Sequence, residues 1–94
     1  MFHTKVGAAR RVPQSRIWIE GARLSLAGFA HAARYDVAWR DTGLTLTLCP
    51  TGSRRVAGTP ERPIIDITGA KVCALGCDRV TVEFSVNLIT IEKA

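Results

Sequence analysis

The chain reads the same way twice, and a repeat of this length constrains the fold more than any other feature it carries. Residues 17–29 run Ile-Trp-Ile-Glu-Gly-Ala-Arg-Leu-Ser-Leu-Ala-Gly-Phe, and residues 65–77 run Ile-Asp-Ile-Thr-Gly-Ala-Lys-Val-Cys-Ala-Leu-Gly-Cys. At an offset of 48, Ile17 meets Ile65, Ile19 meets Ile67, Gly21 meets Gly69, Arg23 meets Lys71 and Gly28 meets Gly76. Further on the offset becomes 45, matching Tyr35 to Trp39 with Val80 to Phe84, and Leu44 to Leu46 with Ile89 to Ile91. The second copy is therefore three residues shorter after its helical stretch. We place repeat one at about 16–48, a basic linker at about 50–62 and repeat two at about 63–92, within a single domain spanning 1–94.

Alternation gives the strands. Ile17 and Ile19, then Tyr35, Val37 and Trp39, then Leu44, Leu46 and Leu48, stand at every second position with polar residues between, the period of a half-buried strand. Asp41-Thr42-Gly43 supplies hairpin turn chemistry. Ala22 to Ala33 is rich in Ala and Leu and predicts a short helix that Gly28 closes. Repeat two gives the same order: Ile64 to Ile67, a helical turn from Ala70 to Leu75, Arg79 to Phe84, a turn at Ser85 to Asn87, and Leu88 to Ile91. Thr4 to Val6 and Val56 are further short-strand candidates. The expected class is mainly β with short helices, as two β-α-β-β units.

A chain of 94 residues supports a modest core, burying about 60–70% of what its unfolded form exposes. Half-cores from the two units must therefore fuse. Hydrophobic residues make up 47%, too many for a disordered chain, yet no apolar run approaches the ~18 residues of a spanning helix. The start carries no apolar leader segment, and three cysteines form no disulfide framework, so the reading expects a cytoplasmic protein with free thiols and no membrane partner.

The formal charge of +5 is unevenly placed. Lys5, Arg10, Arg11 and Arg16 give residues 1–16 a charge of +4 with no acid, and Arg54, Arg55 and Arg62 against Glu61 give residues 50–62 a charge of +2. Everything else balances to −1. Each basic segment precedes one copy of the repeat, a pattern that points to a polyanion-binding surface.

A strand, a Gly, a helix ending in Ala-Gly-Phe and a two-strand hairpin resemble the AbrB/MazE-type swapped-hairpin unit, and more narrowly the SymE-like toxin family. The resemblance rests on Leu24-Ser25-Leu26-Ala27-Gly28-Phe29, Tyr35-Asp36-Val37 and Leu44 to Leu48. Two positions depart from the pattern: Ala32 stands where a Gly often follows, and the second copy has Leu75-Gly76-Cys77 for Ala-Gly-Phe. Because such units usually pair into one interleaved dimeric barrel, the resemblance implies that both units on this chain form one AbrB/MazE-like pseudo-dimeric β-barrel. It also implies nucleic-acid binding, DNA or RNA, and a toxin role associated with RNA cleavage or nucleoid disruption.

Arg10-Arg11 and Arg54-Arg55 are the leading phosphate-binding candidates, since guanidinium pairs hold phosphate oxygens in bidentate fashion. Lys5, Arg16 and Arg62 extend the track, whereas Arg23 and Lys71 read as exposed helix residues. Trp18 lies opposite in face to Ile17 and Ile19 and is the exposed aromatic available for stacking, while Trp39 and Phe84 read as core. His31 is the one catalytic candidate for a ribonuclease, an imidazole suited to proton transfer near neutrality. Cys49, Cys73 and Cys77 with His3 and His31 match no zinc spacing, so no metal or other cofactor is expected. A competing reading makes the protein a modulator that binds other proteins, antitoxin-like or a mobile-element inhibitor, and a homodimer is open under either.

Overall fold

A computed structural model of the chain describes residues 2–8, 15–76 and 79–93. Nine strands and two one-turn helices follow in the order β1 (Phe2–Ala8), β2 (Ser15–Glu20), α1 (Ala22–Leu26), β3 (Arg34–Arg40), β4 (Gly43–Leu48), β5 (Arg54–Arg55), β6 (Ala57–Thr59), β7 (Arg62–Gly69), α2 (Ala70–Ala74), β8 (Arg79–Ser85) and β9 (Leu88–Lys93). The fold is mainly β, and every pairing is antiparallel.

The offsets of 48 and 45 reappear in the registers. Along β2 and β7, Ile17 faces Ile67, Trp18 faces Asp66 and Ile19 faces Ile65, so the ladder is centred on Trp18 and Asp66, equivalent residues of the two copies. Along β4 and β9, Leu44 faces Ile91, Thr45 faces Thr90 and Leu46 faces Ile89, centring that ladder on the equivalent Thr45 and Thr90. An antiparallel ladder centred on equivalent residues has a local twofold axis. Both hairpins share one register, Tyr35 against Leu48 and Val80 against Lys93.

Strands lie in the order β5-β3-β4-β9-β8-β1-β2-β7-β6. The order is open, because β5 and β6 at its two ends are not paired with each other. They are nevertheless consecutive in the chain, parted by Val56 alone, which marks where the segment changes partner. The N–H of Val56 donates to the Ala33 carbonyl (2.9 Å) and its carbonyl accepts from Ala32 (3.0 Å), while Ala57 onward pairs with β7. The segment β5–β6 thus spans from β3 to β7, as β1 spans from β8 to β2.

The core follows the alternation. Ile17, Ile19, Leu44, Leu46, Ile65, Ile67, Val80, Val82, Ile89 and Ile91 are all buried, with Leu24 and Val72 from the two helices above them. Apolar area removed from water at about 25 cal/mol per Å² is the main force holding the sheet together. Phe29 meets Tyr35 edge to face at 5.9 Å between centroids. Trp39 and Phe84 are half-buried and pack against this core rather than inside it.

Helix α1 closes at Gly28, where the sequence places its end, and α2 covers the predicted turn from Ala70 to its cap at Leu75. Gly28 adopts φ 98°, its N–H donates to Ser25 (2.9 Å), and the Phe29 N–H reaches back to Leu24 (2.8 Å). This closing pattern satisfies the last carbonyls and buries Phe29 near Leu24, so the Gly-Phe pair overrides the helix propensity of the alanines after it. Ala32 itself stands at φ 70°, the left-handed conformation a glycine would take without strain. Among the described residues no helix is long and apolar enough to cross a membrane.

Candidate nucleic-acid interface

The predicted cations that fall within the described residues have different neighbours. Arg16, on β2, is half-buried, with its Nε 3.1 Å from Asp66 Oδ1 and its guanidinium over the Trp18 ring at 5.5 Å. It thereby clasps both residues at the centre of the β2–β7 ladder. Trp18 is 38% exposed, but Arg16 already occupies one side of it. Arg62, at the start of β7, grips Glu20 with two contacts, Nε to Oε2 at 3.0 Å and Nη2 to Oε1 at 3.2 Å. A guanidinium bound to a carboxylate has less to offer a phosphate.

Arg54 and Arg55 are placed differently. They form β5, with Arg54 opposite Tyr35 and Arg55 directly opposite Arg34. Side chains facing each other across an antiparallel pair have Cβ atoms about 4.5–5.5 Å apart, and like charges there are destabilising. Arg34 is fixed at this position because its Nη1 donates to the Gly52 carbonyl at 3.1 Å. Gly52 lies flat on the Tyr35 backbone, where an added Cβ would come within 2.6 Å. The acid two residues along β3, Asp36, accepts from the Ser53 N–H (3.0 Å) and hydroxyl (3.4 Å). Among the described residues neither Arg54 nor Arg55 forms an ion pair.

The other half of the molecule repeats this strand register. Lys5 on β1 stands directly opposite Arg79 on β8, and Thr4 opposite Val80. Arg79 and Val80 are the equivalents of Arg34 and Tyr35 at the offset of 45. The register therefore equates Arg54-Arg55 with Thr4-Lys5, and not with Arg10-Arg11, which lies outside the described residues. Sequence reading missed Arg34 and Arg79. The signal was available: extending the offset of 45 one residue before Tyr35 and Val80 lands on both.

Burial raises the Tyr35 phenol above its ordinary pKa, an effect that the nearby Arg54 charge partly offsets and Asp66 reinforces. His31 is exposed on the turn before β3, one residue from Ala32, whose N–H is bonded to Val56. It thus lies in the chain next to the segment that meets β5. Cys49 is half-buried with its Sγ 3.4 Å from Thr51 Oγ1, and Cys73 is exposed on the outer side of α2, where Val72 takes the inward place. Cys77 lies outside the described residues. Compared with known proteins, the chain matches no family model, no curated protein and no solved structure.

Proposed function

We propose that the chain is a small SymE-like nucleic-acid-binding protein whose two halves act as a pseudo-dimeric barrel, gripping phosphates at its two cross-strand cation pairs. The observation that carries this reading is Arg55 set directly opposite Arg34, with Lys5 opposite Arg79 at the equivalent place. A placement that costs stability in the free protein becomes favourable when an anion sits between the charges, and phosphate oxygens accept from two guanidiniums at once. The twofold character of the β2–β7 and β4–β9 ladders, and the joining of β5 to β6 through Val56, support the barrel part of the proposal.

The affinity would be mainly electrostatic and independent of base sequence. Binding to labelled duplex DNA and to single-stranded RNA over a salt series tests it. Neutralising Arg54 and Arg55 to Gln should weaken binding and lower the slope of log K against log salt by about two for duplex DNA. An unchanged slope would refute the assignment of these residues. Scoring the RNA for cleavage in the same tubes, with His31→Ala alongside, tests the ribonuclease expectation separately. Cleavage retained in that variant would remove His31 from any catalytic role.

A further inference from the structure

Two surface clefts in this molecule are lined by equivalent residues, and only the first carries two large apolar side chains that are almost fully exposed. The first, about 380 Å³, lies between α1 and the β8–β9 turn and is lined by Arg23, Leu26, Ala27, Phe84, Ser85 and Val86. The second, about 260 Å³, lies between α2 and the β3–β4 turn and is lined by Lys71, Ala74, Leu75, Trp39, Arg40 and Asp41. Under the offsets of 48 and 45 these six residues are the counterparts of the first six, one for one. Each cleft joins the helix of one copy to the hairpin of the other.

What the two clefts share is a cation and an aromatic ring, Arg23 with Phe84 and Lys71 with Trp39, the latter pair 5.8 Å from Nζ to ring centroid. They differ at Leu26, Ala27, Ser85 and Val86, whose counterparts are Ala74, Leu75, Arg40 and Asp41. Leu26 is 83% exposed and Val86 is 81% exposed, far more than the large apolar side chains elsewhere among the described residues. The fold does not require large apolar side chains at Leu26 and Val86, because Ala74 and Asp41 stand at the equivalent positions. Exposed apolar residues gathered around a cleft mark an interaction site.

The turn that carries Val86 is also held in place. The Asn87 N–H donates to the Ala27 carbonyl at the end of α1 (2.8 Å), and the Asn87 carbonyl accepts from Leu48 (3.0 Å). Such a cleft loses little freedom when it is filled.

We propose that this cleft docks an acidic segment of another protein, which inserts one bulky apolar side chain against Leu26, Phe84 and Val86. Charge selects the occupant. Among the described residues Arg23 lines the cleft and no carboxylate does, whereas Asp41 lines its counterpart. A second copy of this chain would bring the same charge of +5, so like charges oppose self-association and an acidic partner is drawn in. The volume suits a single anchor side chain, with flanking acids toward Arg23.

A fluorescein-labelled peptide with one central Trp flanked by Glu and Asp is the probe, and its twin with Lys for every acid is the control, both read by fluorescence polarisation. The acidic peptide should bind and the Lys twin should not. Leu26→Ala with Val86→Asp, which puts the second cleft's residues at these two positions of the first, should weaken binding by about tenfold or more while the unfolding midpoint stays near that of the wild type. Ala74→Leu in the second cleft should leave that affinity unchanged. Absence of acidic-peptide binding at millimolar concentration, equal binding of the Lys twin, or wild-type affinity in the double variant would overturn the proposal. Loss of DNA binding in that same variant would assign the cleft to the polyanion surface and overturn it as well.

Discussion

Arg62 and Arg55 lie seven positions apart on the segment that precedes the second repeat, yet their surroundings are opposite. Arg62 meets Glu20 through two nitrogens, and Arg55 meets another arginine. Composition treats the two as interchangeable cations in one basic stretch. The neighbouring strand distinguishes them: β2 presents a carboxylate to the first, and β3 presents Arg34 to the second. A basic segment is therefore not itself a binding surface, because part of its charge is neutralised by the fold and only the remainder is available to a partner. In this molecule Arg16 belongs with Arg62, held by Asp66 and stacked on Trp18.

The largest effect on this contrast should come from Gly52→Ala. The added Cβ would collide with the Tyr35 backbone, displacing the carbonyl that holds Arg34. A loss of about 1–3 kcal/mol in urea unfolding is expected, together with weaker nucleic-acid binding. Unchanged stability would show that the seam between β3 and the 52–55 segment is less tightly built than described.

Arg62→Gln sharpens the comparison from the other side. It removes an exposed ion pair, so stability should fall by no more than about 1 kcal/mol, and the salt slope of nucleic-acid binding should hold its wild-type value. A reduced slope would return Arg62 to the phosphate track.

The smallest effect concerns Glu92, which accepts from Thr42 at 2.8 Å and pairs with Arg40. The Thr42 hydrogen bond, and then Arg40, hold its carboxyl below the ordinary range. Its pKa is therefore lower folded than unfolded, so it contributes stability above the unfolded value and loses that contribution as pH falls through the folded one. Because the group is largely open to solvent, Glu92→Gln should cost only about a few tenths of a kcal/mol at pH 7, and the cost should vanish in acid. Thermal melts of both proteins across the acid range will show whether the difference closes.

Much of this fold was legible from the alternation of Ile17 with Ile19 and Leu44 with Leu46, since one buried face of a sheet writes itself into the sequence at period two. The offsets of 48 and 45 likewise predict which strands resemble each other. Other features were hidden for physical reasons. The partner of Arg55 depends on the register between two strands far apart in the chain, and no local pattern records it. Arg10-Arg11 looked equivalent to Arg54-Arg55 because doubled arginines are conspicuous; the pairing instead aligns Lys5 with Arg55, two strand residues that share no conspicuous motif. In the same way the clefts escaped notice, since each is built from one copy's helix and the other copy's turn.

The central claim is that Arg34 and Arg55 oppose each other at a cost to the free protein and to the benefit of a bound polyanion. Arg55→Glu tests it most directly, with thermal unfolding and DNA binding at low salt measured on the same preparation. The account predicts a variant more stable than the wild type by roughly 0.2–1 kcal/mol, as an opposite-charge pair replaces a like-charge one, and at the same time weaker in binding DNA. A variant that is no more stable, or that binds DNA as tightly as before, would contradict it.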